Sequence, residues 1–317
     1  MSQEENLKEY SAADGSCSFT YREEEQGITV IQCTSCGEKA VIPGRIEEKP
    51  VIRIGEYAFS EQKALREAWL PFSVTRIDRH AFYNCRRLAS VSLSAEAVEI
   101  WDGAFKNCEQ LHTVVFLAVC GGNVCMKNIL YDLEQDIVCE ILVFGEADGA
   151  MRQEEPKERI RLLFPKNTYE YISNYAARIF HEVAYGSGYY YRQCAYEKRM
   201  DYARYDGLFD YASREERPEL VPWLAFYRLR YPHELGEKAR RIYVDWMRKH
   251  IGEFVRLLIE ADDYEDTRYL AECDWVEETD FQNMIEAAGK TGNAEYISLF
   301  LAQKKKRFGI GKKTFEL

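Results

Sequence analysis

The apolar positions between Val51 and Phe116 recur with a fixed period of 23 residues. Four columns of side chains keep this step: Ile54, Ile77 and Ile100; Phe59, Phe82 and Phe105, each preceded by Ala; Leu65, Leu88 and Leu111; and Leu70, Leu93 and Phe116. Three residues after the Phe, the second and third copies have Cys85 and Cys108, whereas the first has Gln62. A constant period in this range is typical of a solenoid, in which each repeat buries its apolar face against its neighbours.

Each repeat contains two short extended runs. In the central copy, Val91 and Leu93 alternate with serines, a pattern that predicts a strand with one buried face. A second run, Val74 to Ile77 in this copy, follows a turn. The Ala-Phe pair predicts a tight corner, because Ala allows close approach and Phe fills the core with a large ring.

The combined pattern Ile-x-x-x-Ala-Phe-x-x-Cys-x-x-Leu-x-x-Val-x-Leu resembles the BspA-type leucine-rich repeats that are common in bacterial proteins. The segment that leads into the first repeat, Val41-Ile42-Pro43 to Pro50-Val51, is also similar to that family. The resemblance covers roughly residues 17–117. It implies a curved solenoid of short strands that serves adhesion or protein binding, and it implies no catalytic residues.

In a leucine-rich solenoid the first strands of successive repeats align, so their outward side chains form columns. The period predicts two such columns: Glu67, Ser90 and Thr113 in the first, and Trp69, Ser92 and Val115 in the second, all of them exposed. An exposed Trp beside small residues is the kind of side chain on which interface energies concentrate. We therefore predict that these six residues form a binding surface with Trp69 near its centre. The alternative is that Trp69 is buried under a neighbouring segment for structural reasons.

The period ends after Phe116. One step further along, Asn123 and Asn128 occupy the Ile and Phe positions, so no fourth copy follows. Two apolar runs remain in this region, Ile137 to Phe144 and Ile160 to Phe164. We predict that they are strands that close the C-terminal end of the solenoid.

From Thr168 onward the apolar residues recur at helical spacing, beginning with a predicted helix that extends to Val183. A later predicted helix starts with the capping box Thr279-x-x-Gln282 and ends at Gly289.

The last helices repeat a pattern. Residues 253–259 and 295–301 are similar at an offset of 42, and Gly292-Asn293-Ala294-Glu295 resembles the start of the second helix of an ankyrin unit, although the Thr-Pro-Leu-His signature is absent. The expected fold is therefore α+β. A short leucine-rich-repeat β-solenoid with an N-terminal cap and closing strands occupies residues 1–165. An α-helical domain of stacked helix pairs, ankyrin-like towards its end, occupies residues 166–317.

Net charge and composition argue against some classes of binding partner and indicate the cellular compartment. The 317-residue chain has a net charge of −11, which argues against a nucleic-acid binder, since such proteins present a broad basic face. No secretory leader is visible, and no apolar run is long enough to span a bilayer. Ten cysteines without an export signal fit a reducing compartment. We expect a cytoplasmic, bacterial protein that binds neither nucleic acid nor membrane.

Cys33-Thr-Ser-Cys36-Gly is a CxxC motif of the kind found in zinc knuckles. A structural zinc ion needs four ligands, and a second paired set is not evident. Cys17, or the group Cys120, Cys125 and Cys139, could complete the site, but their spacing is irregular. The favoured interpretation is a turn with two free thiols, and a zinc-stabilised adaptor is the alternative.

The segment from residue 185 to 211 is rich in tyrosine: Tyr185, Tyr189, Tyr190, Tyr191, Tyr196, Tyr202, Tyr205 and Tyr211. These rings either form an aromatic binding face or pack against the end of the solenoid. An enzyme with its site in this segment is a second alternative, in which Cys194 and His181 form a thiol–imidazole pair. Two such residues without a third orienting group make a weak case.

The chain contains no Gly-x-Ser-x-Gly, His-Glu-x-x-His or P-loop motif. The favoured function is therefore a non-catalytic protein-binding or scaffold protein that uses a leucine-rich-repeat surface and no cofactor. Its partner is an unidentified protein, and the oligomeric state stays open.

The favoured interpretation of the CxxC motif predicts that a metal chelator does not change the melting temperature of the purified protein. A structural zinc ion contributes directly to folding free energy, so its removal lowers that temperature. Thermal unfolding with and without chelator makes the comparison. A lower melting temperature in chelator, reversed by added Zn²⁺, favours the zinc-stabilised adaptor instead.

Overall fold

The computed structural model describes residues 7–13, 15–97, 99–145, 155–174 and 179–309, and only the backbone of those within 168–185. The strands are β1 (Lys8–Ser11), β2 (Cys17–Glu23), β3 (Ile28–Cys36), β4 (Lys39–Val41), β5 (Arg45–Ile46), β6 (Lys49–Ile54), β7 (Glu67–Trp69), β8 (Arg76–Ile77), β9 (Ser90–Ser94), β10 (Glu99–Ile100), β11 (Thr113–Val119), β12 (Ile137–Phe144), β13 (Glu158–Phe164), β14 (Thr168–Asn174) and β15 (Ile179–Tyr185). The helices are α1 (Lys127–Asp132), α2 (Gly188–Arg192), α3 (Tyr202–Gly207), α4 (Phe209–Glu215), α5 (Val221–Arg230), α6 (Glu237–Glu260), α7 (Tyr264–Glu272), α8 (Glu278–Thr291) and α9 (Ala294–Phe308).

Two sheets run along the solenoid. Sheet 1 has the strand order β1-β2-β3-β6-β8-β10, with β5 paired to β6, and sheet 2 has the order β4-β7-β9-β11-β12-β13. Strands of successive repeats pair in parallel, as in β7–β9 and β9–β11, whereas β2–β3 and β12–β13 are antiparallel. The fold class is α+β, as predicted, and the two predicted closing strands are present as β12 and β13.

The predicted apolar columns form the core of the repeats, and every one of their residues is buried. Phe59, Phe82 and Phe105 form a stack with ring centroids 5.1 and 5.2 Å apart and interplanar angles of 11° and 5°. The Cys column adds a hydrogen bond between repeats: Cys85 Sγ donates to the carbonyl of Phe59 (2.9 Å), and Cys108 Sγ donates to that of Phe82 (3.2 Å). The cysteines therefore fill small spaces and also satisfy buried carbonyls.

Two positions in each repeat have a left-handed backbone, and both recur every 23 residues. The first series is Tyr57, His80 and Gly103, with φ of 58°, 58° and 73°, and the second is Glu61, Asn84 and Asn107, with φ of 60°, 59° and 63°. Asn tolerates this conformation better than most residues, and Asn107 Nδ2 donates to Asn84 Oδ1 (2.8 Å). The apolar pattern gave no sign of this backbone requirement, since the first series has no residue type in common.

Helix α1 ends the solenoid by supplying side-chain acceptors where a further repeat would supply carbonyls. The backbone N–H of Phe59 donates to the carbonyl of Ala81 (2.7 Å), and that of Phe82 to Ala104 (2.8 Å). In the last repeat, the N–H of Phe105 donates to Oδ2 of Asp132 (3.5 Å), which also accepts the N–H of Gly103 through Oδ1 (3.0 Å). Burial raises the pKa of Asp132, and these two hydrogen bonds oppose that rise.

Two side chains, those of Gln135 and the buried Arg192, fix the segment that follows α1 by hydrogen bonds. Gln135 Nε2 donates to the carbonyls of Cys108 and Leu111 in the last repeat (3.0 and 2.9 Å). The Arg192 guanidinium of α2, itself buried, donates to six backbone carbonyls: those of Leu130, Leu133, Glu134, Gln135, Pro165 and Gly188. Arginine suits this role because its planar group carries five N–H donors.

The outer edge of sheet 2 is closed by a tyrosine. The Tyr205 hydroxyl donates to the carbonyl of Leu163 (2.6 Å) and accepts its N–H (3.2 Å). These are the two hydrogen bonds that a neighbouring strand would make with Leu163 of β13. Because an unpaired strand edge can pair with another chain, the contact limits such association at this residue.

The predicted helix from Thr168 to Val183 is wrong. The chain forms an antiparallel hairpin there, with β14 paired to β15 from Thr168–Tyr185 to Asn174–Ile179. The segment is rich in Tyr, Ile, Phe and Val, which favour strands, and this preference outweighs a spacing that also fits a helix. The strand-rich region therefore continues past Pro165.

The last four helices form two successive pairs, α6–α7 and α8–α9, and the pairs stack because α6 packs against α8 and α7 packs against α9. Equivalent positions in the two helix pairs lie 30 residues apart in sequence. Asp262 and Gly292 both have left-handed backbone (φ 52° and 71°), and the next residues, Asp263 and Asn293, cap α7 and α9 with their side chains. The sequence similarity between residues 253–259 and 295–301 is therefore misleading, because these residues lie in α6 and α9, which do not occupy equivalent places in the two pairs.

The predicted limits of α8 are also corrected. Its capping box consists of Glu277 and Asp280, since Thr279 already lies in the first helical turn. The helix continues past Gly289 and ends at Gly292, whose left-handed conformation allows the chain to leave the helix.

The chain divides into two compact units. The first comprises residues 1–216 and 231–234, and the second comprises residues 217–230 and 235–317. The predicted domain boundary between residues 165 and 166 stays a prediction.

Replacing Phe82, the middle ring of the stack, with Ala is expected to reduce the free energy of unfolding by about 3–5 kcal/mol through loss of buried area and formation of a cavity. Arg87→Ala is the matched control, since Arg87 is an exposed residue of the same repeat. Chemical denaturation measures both. Equal, small effects would contradict the assignment of the Phe column to the core.

Replacing Asp132 with Ala leaves the N–H groups of Gly103 and Phe105 without their acceptor, which is expected to cost about 1–3 kcal/mol. Asp102→Ala is the control because Asp102 is an exposed acid of the adjacent turn. We expect this control to be nearly neutral, since removing Asp102 also removes a like charge near Asp132. A loss of stability no larger than that of the control would show that Asp132 does not close the solenoid.

Candidate binding surface

The two predicted columns are aligned across sheet 2. In the first column, Glu67 pairs with Ser90, and Ser90 pairs with Thr113. In the second column, two residues further along each strand, Trp69 pairs with Ser92, and Ser92 pairs with Val115. Their inward neighbours Ala68, Val91 and Val114 are buried. The columns therefore lie on the outward face of the sheet, because successive side chains of a strand point to opposite faces.

Exposure varies along these columns. Trp69 is 42% exposed, so the alternative that it is buried under a neighbouring segment is wrong. Glu67 is exposed, and Ser90, Thr113 and Val115 are half-buried.

The prediction that Ser92 is exposed is wrong, since only 2% of it is accessible. Phe72 follows β7 and Phe144 ends β12, yet their rings meet edge to face with centroids 5.8 Å apart. Strands β9 and β11 lie between β7 and β12, so the two rings reach across this part of the sheet. Ser94, on the same face of β9, is buried as well.

Trp69 is held in place by charged neighbours. Its indole Nε1 donates to Glu67 Oε2 (3.3 Å), and Lys39 Nζ lies 4.7 Å from the centroid of its ring. Lys39 also forms an ion pair with Glu67 (3.7 Å). A side chain that is already ordered loses less conformational entropy when a partner binds.

The outward face is wider than the three repeats, which the sequence pattern missed. On β12, Val138 pairs with Thr113 and Glu140 pairs with Val115. On β13, Arg161 pairs with Glu140, and Arg159 forms an ion pair with Glu140 (3.3 Å). The sequence of β12, Ile-Val-Cys-Glu-Ile-Leu-Val-Phe, shows no apolar–polar alternation, and Glu140 is its single charged residue. The pattern therefore carried little sign of which residues share the outward face.

Cys33 and Cys36 lie at the end of strand β3, not in a turn as predicted. Cys33 is 5% exposed. The described residues contain no group of three or more His, Cys, Asp or Glu side chains that could hold a metal ion.

The tyrosine-rich segment is partly buried. Tyr191, Tyr202 and Tyr205 are buried, whereas Tyr190 and Tyr196 are exposed. Burial raises the pKa of Cys194 to about 12, which disfavours the thiolate that a nucleophile needs. The pairing with His181 lies outside the described side chains. Three of these rings therefore contribute to the core of the first unit, and Tyr189 and Tyr211 are half-buried.

A family model described as a BspA type leucine-rich repeat region, with six copies, matches residues 39–125. The repeat region is therefore similar to BspA-type leucine-rich repeats. These repeats form the part of sheet 2 that contains Trp69. Among the described helices, none is both long and apolar enough to cross a membrane.

Three solved structures are similar to parts of this chain. A leucine-rich cell surface protein from Faecalibacterium prausnitzii A2-165 is 22% identical over 35% of this chain and 36% of its own, with a TM-score of 0.27. A leucine-rich repeat protein from Bacteroides capillosus is 25% identical over 31% of this chain and 76% of its own, with a TM-score of 0.25. A leucine-rich repeat protein from Bacteroides ovatus is 16% identical over 43% of this chain and 37% of its own, with a TM-score of 0.30. This chain spans about a third of the length of the first. No curated protein matches the chain.

Proposed function

We propose that this chain is a non-catalytic binding or scaffold protein that docks a partner protein on the outward face of sheet 2, with Trp69 near the centre of the contact. The observation that carries the proposal is the 42% exposed indole of Trp69, held by Glu67 and Lys39 on the outward face of sheet 2, where Ser90, Thr113 and Val115 are half-buried. Binding energy concentrates on such aromatic residues when they are surrounded by contacts that exclude water.

The neighbouring charges supply orientation. Lys39 and Glu67 lie at Trp69, and Glu140 and Arg161 lie on the far strands of the same face. Rim charges of both signs contribute to the association rate and to partner choice more than to affinity. A small platform of this kind fits an interface of about 1,200–1,600 Å² in total.

The other two functions have less support. A zinc-stabilised adaptor would need a ligand set around Cys33 and Cys36, and an enzyme would need reactive groups gathered in the tyrosine-rich segment. Cys194, the thiol of that segment, is buried with a raised pKa, which argues against it as a nucleophile.

The test is capture of partners from a lysate of the native host by immobilised wild-type protein, Trp69→Ala and Trp101→Ala. Trp101 is the matched control: it follows β10 in sheet 1, is 46% exposed, and contacts a cation, with Arg76 Cζ 5.1 Å from its ring centroid. Loss of a central aromatic residue weakens binding by about 30-fold or more. We expect Trp69→Ala to lose proteins that wild type and Trp101→Ala both retain.

Thermal unfolding of the three proteins accompanies the capture. We expect both variants to melt close to the wild-type temperature, because exposed side chains contribute little to stability. If Trp69→Ala captures the same proteins undiminished, or if it unfolds while Trp101→Ala does not, the binding surface lies elsewhere.

A further inference from the structure

Three of the cysteines share one face of the strand pair β2–β3. Cys17 pairs with Cys36, and Phe19 pairs with Cys33, because the register shifts between Ser18 and Phe19. Cys17 and Phe19 are two residues apart on β2 and therefore face the same side, as do their partners on β3. The bulge thus brings Cys33 and Cys36 to one face, although they are three residues apart in sequence.

The backbone hydrogen bonds show how close Cys17 and Cys36 are. The N–H of Ala12 donates to the carbonyl of Cys17 (2.9 Å), so the backbone polar groups of Cys17 point to β1. The N–H of Gly37 donates to the carbonyl of Ser16 (3.2 Å) instead. Cys17 and Cys36 are therefore a non-hydrogen-bonded antiparallel pair, with Cα atoms about 4.5 Å apart. A disulfide needs a separation of about 4.4–6.8 Å.

Cys33 is less well placed to bond with Cys36. The two lie opposite residues two apart on β2, so their Cα atoms are separated by about 6.6–6.8 Å, at the far end of the disulfide range. Cys33 and Cys36 influence each other's ionisation: interaction with Cys33 lowers the pKa of Cys36, and interaction with Cys36 together with burial raises the pKa of Cys33. The Sγ atom of Cys33 donates to the carbonyl of Ser35 (3.4 Å), and that of Cys36 to the carbonyl of Gly37 (3.5 Å).

Exposure distinguishes the three thiols. Cys36 is half-buried, whereas Cys33 and Cys17 are 5% and 1% exposed. An oxidant in solution therefore reaches Cys36 first. Cys17 Sγ donates to the carbonyl of Val41 (3.6 Å) on β4, and Val41 pairs with Trp69 in sheet 2.

We propose that Cys36 is a peroxide-reactive thiol that closes a reversible disulfide with Cys17 across β2 and β3. The Cys36 thiolate attacks one oxygen of hydrogen peroxide, the O–O bond breaks, and the second oxygen leaves as hydroxide, which takes a proton and becomes water. Cys36 is thereby oxidised to a sulfenic acid. The Cys17 thiol then loses its proton, and its sulfur attacks that of Cys36, displacing hydroxide as a second water. Two thiols and one peroxide give one disulfide and two waters.

Other thiols lack this combination. Cys85 and Cys108 are buried and donate to carbonyls of the preceding repeat, and burial raises the pKa of Cys85 to about 12. A thiol in such a setting reacts slowly with peroxide, because the thiolate is the nucleophile. Cys120 is exposed and serves as the internal control for surface oxidation.

The experiment treats the reduced full-length chain with a small excess of hydrogen peroxide, blocks the remaining thiols by alkylation, and maps linked peptides by mass spectrometry. We expect a peptide pair that joins Cys17 to Cys36, which disappears after dithiothreitol. The oxidised protein should melt about 5 °C or more above the reduced one, because the bond closes a loop across the hairpin. Cys120→Ser should leave this product unchanged, and Cys36→Ser should abolish it.

Two further measurements separate the roles of the neighbouring thiols. A sulfenic-acid reagent added during oxidation should label Cys36, and label it more strongly in Cys17→Ser, which cannot form the disulfide. Cys33→Ala should slow the oxidation of Cys36 several-fold but yield the same Cys17–Cys36 product. The proposal is overturned if the wild-type protein links Cys33 to Cys36, if peroxide labels Cys120 alone, or if Cys36→Ser still forms a disulfide at Cys17.

Discussion

Hydrogen bonds between neighbouring repeats are the constraint on which the first unit depends. Each repeat donates the N–H of its Phe to a carbonyl of the next repeat, and a buried N–H without an acceptor costs about 1–3 kcal/mol. A solenoid of this kind can therefore end only where the chain supplies substitute acceptors. Here Asp132 takes that role for the last repeat, and Gln135 supplies donors to carbonyls of the same repeat.

The segment that follows the last repeat, from α1 to Gln135, has backbone carbonyls that need hydrogen-bond donors of their own. Its carbonyls at Leu130, Leu133 and Gln135 are buried with the end of the repeats, and the guanidinium of Arg192 satisfies them. Tyr205, in the next helix, satisfies the backbone of Leu163 at the edge of β13. Polar groups exposed by one segment are thus satisfied by the next, which explains why the first compact unit continues to Glu216, far beyond the last repeat.

The stacking of successive repeats also defines the outward face of sheet 2. When the inward residues Val91 and Val114 are aligned by core packing, Ser92 and Val115 are aligned on the opposite face. The proposed binding surface therefore needs no separate scaffold. Its one large exposed ring, Trp69, is ordered by Lys39 and Glu67, of which Lys39 lies on a strand before the first repeat. The cysteine pair of β2 and β3 lies beside that strand through the bond from Cys17 to Val41.

The 23-residue period determined the core columns, the two aligned outward columns and the α+β class, because local periodicity records which side chains a repeat must bury. It could not determine what closes the solenoid, since Asp132 and Arg192 act on carbonyls and N–H groups that are distant along the chain. The helical spacing up to Val183 and the predicted exposure of Ser92 failed for related reasons. A spacing that fits two elements is decided by strand preference and pairing, and the accessibility of a small side chain such as Ser92 is decided by its surroundings in the folded chain. Local sequence thus specified the repeating unit, and tertiary contacts decided its ends and its accessible surface, because hydrogen-bond satisfaction and burial depend on groups that meet only in the folded chain.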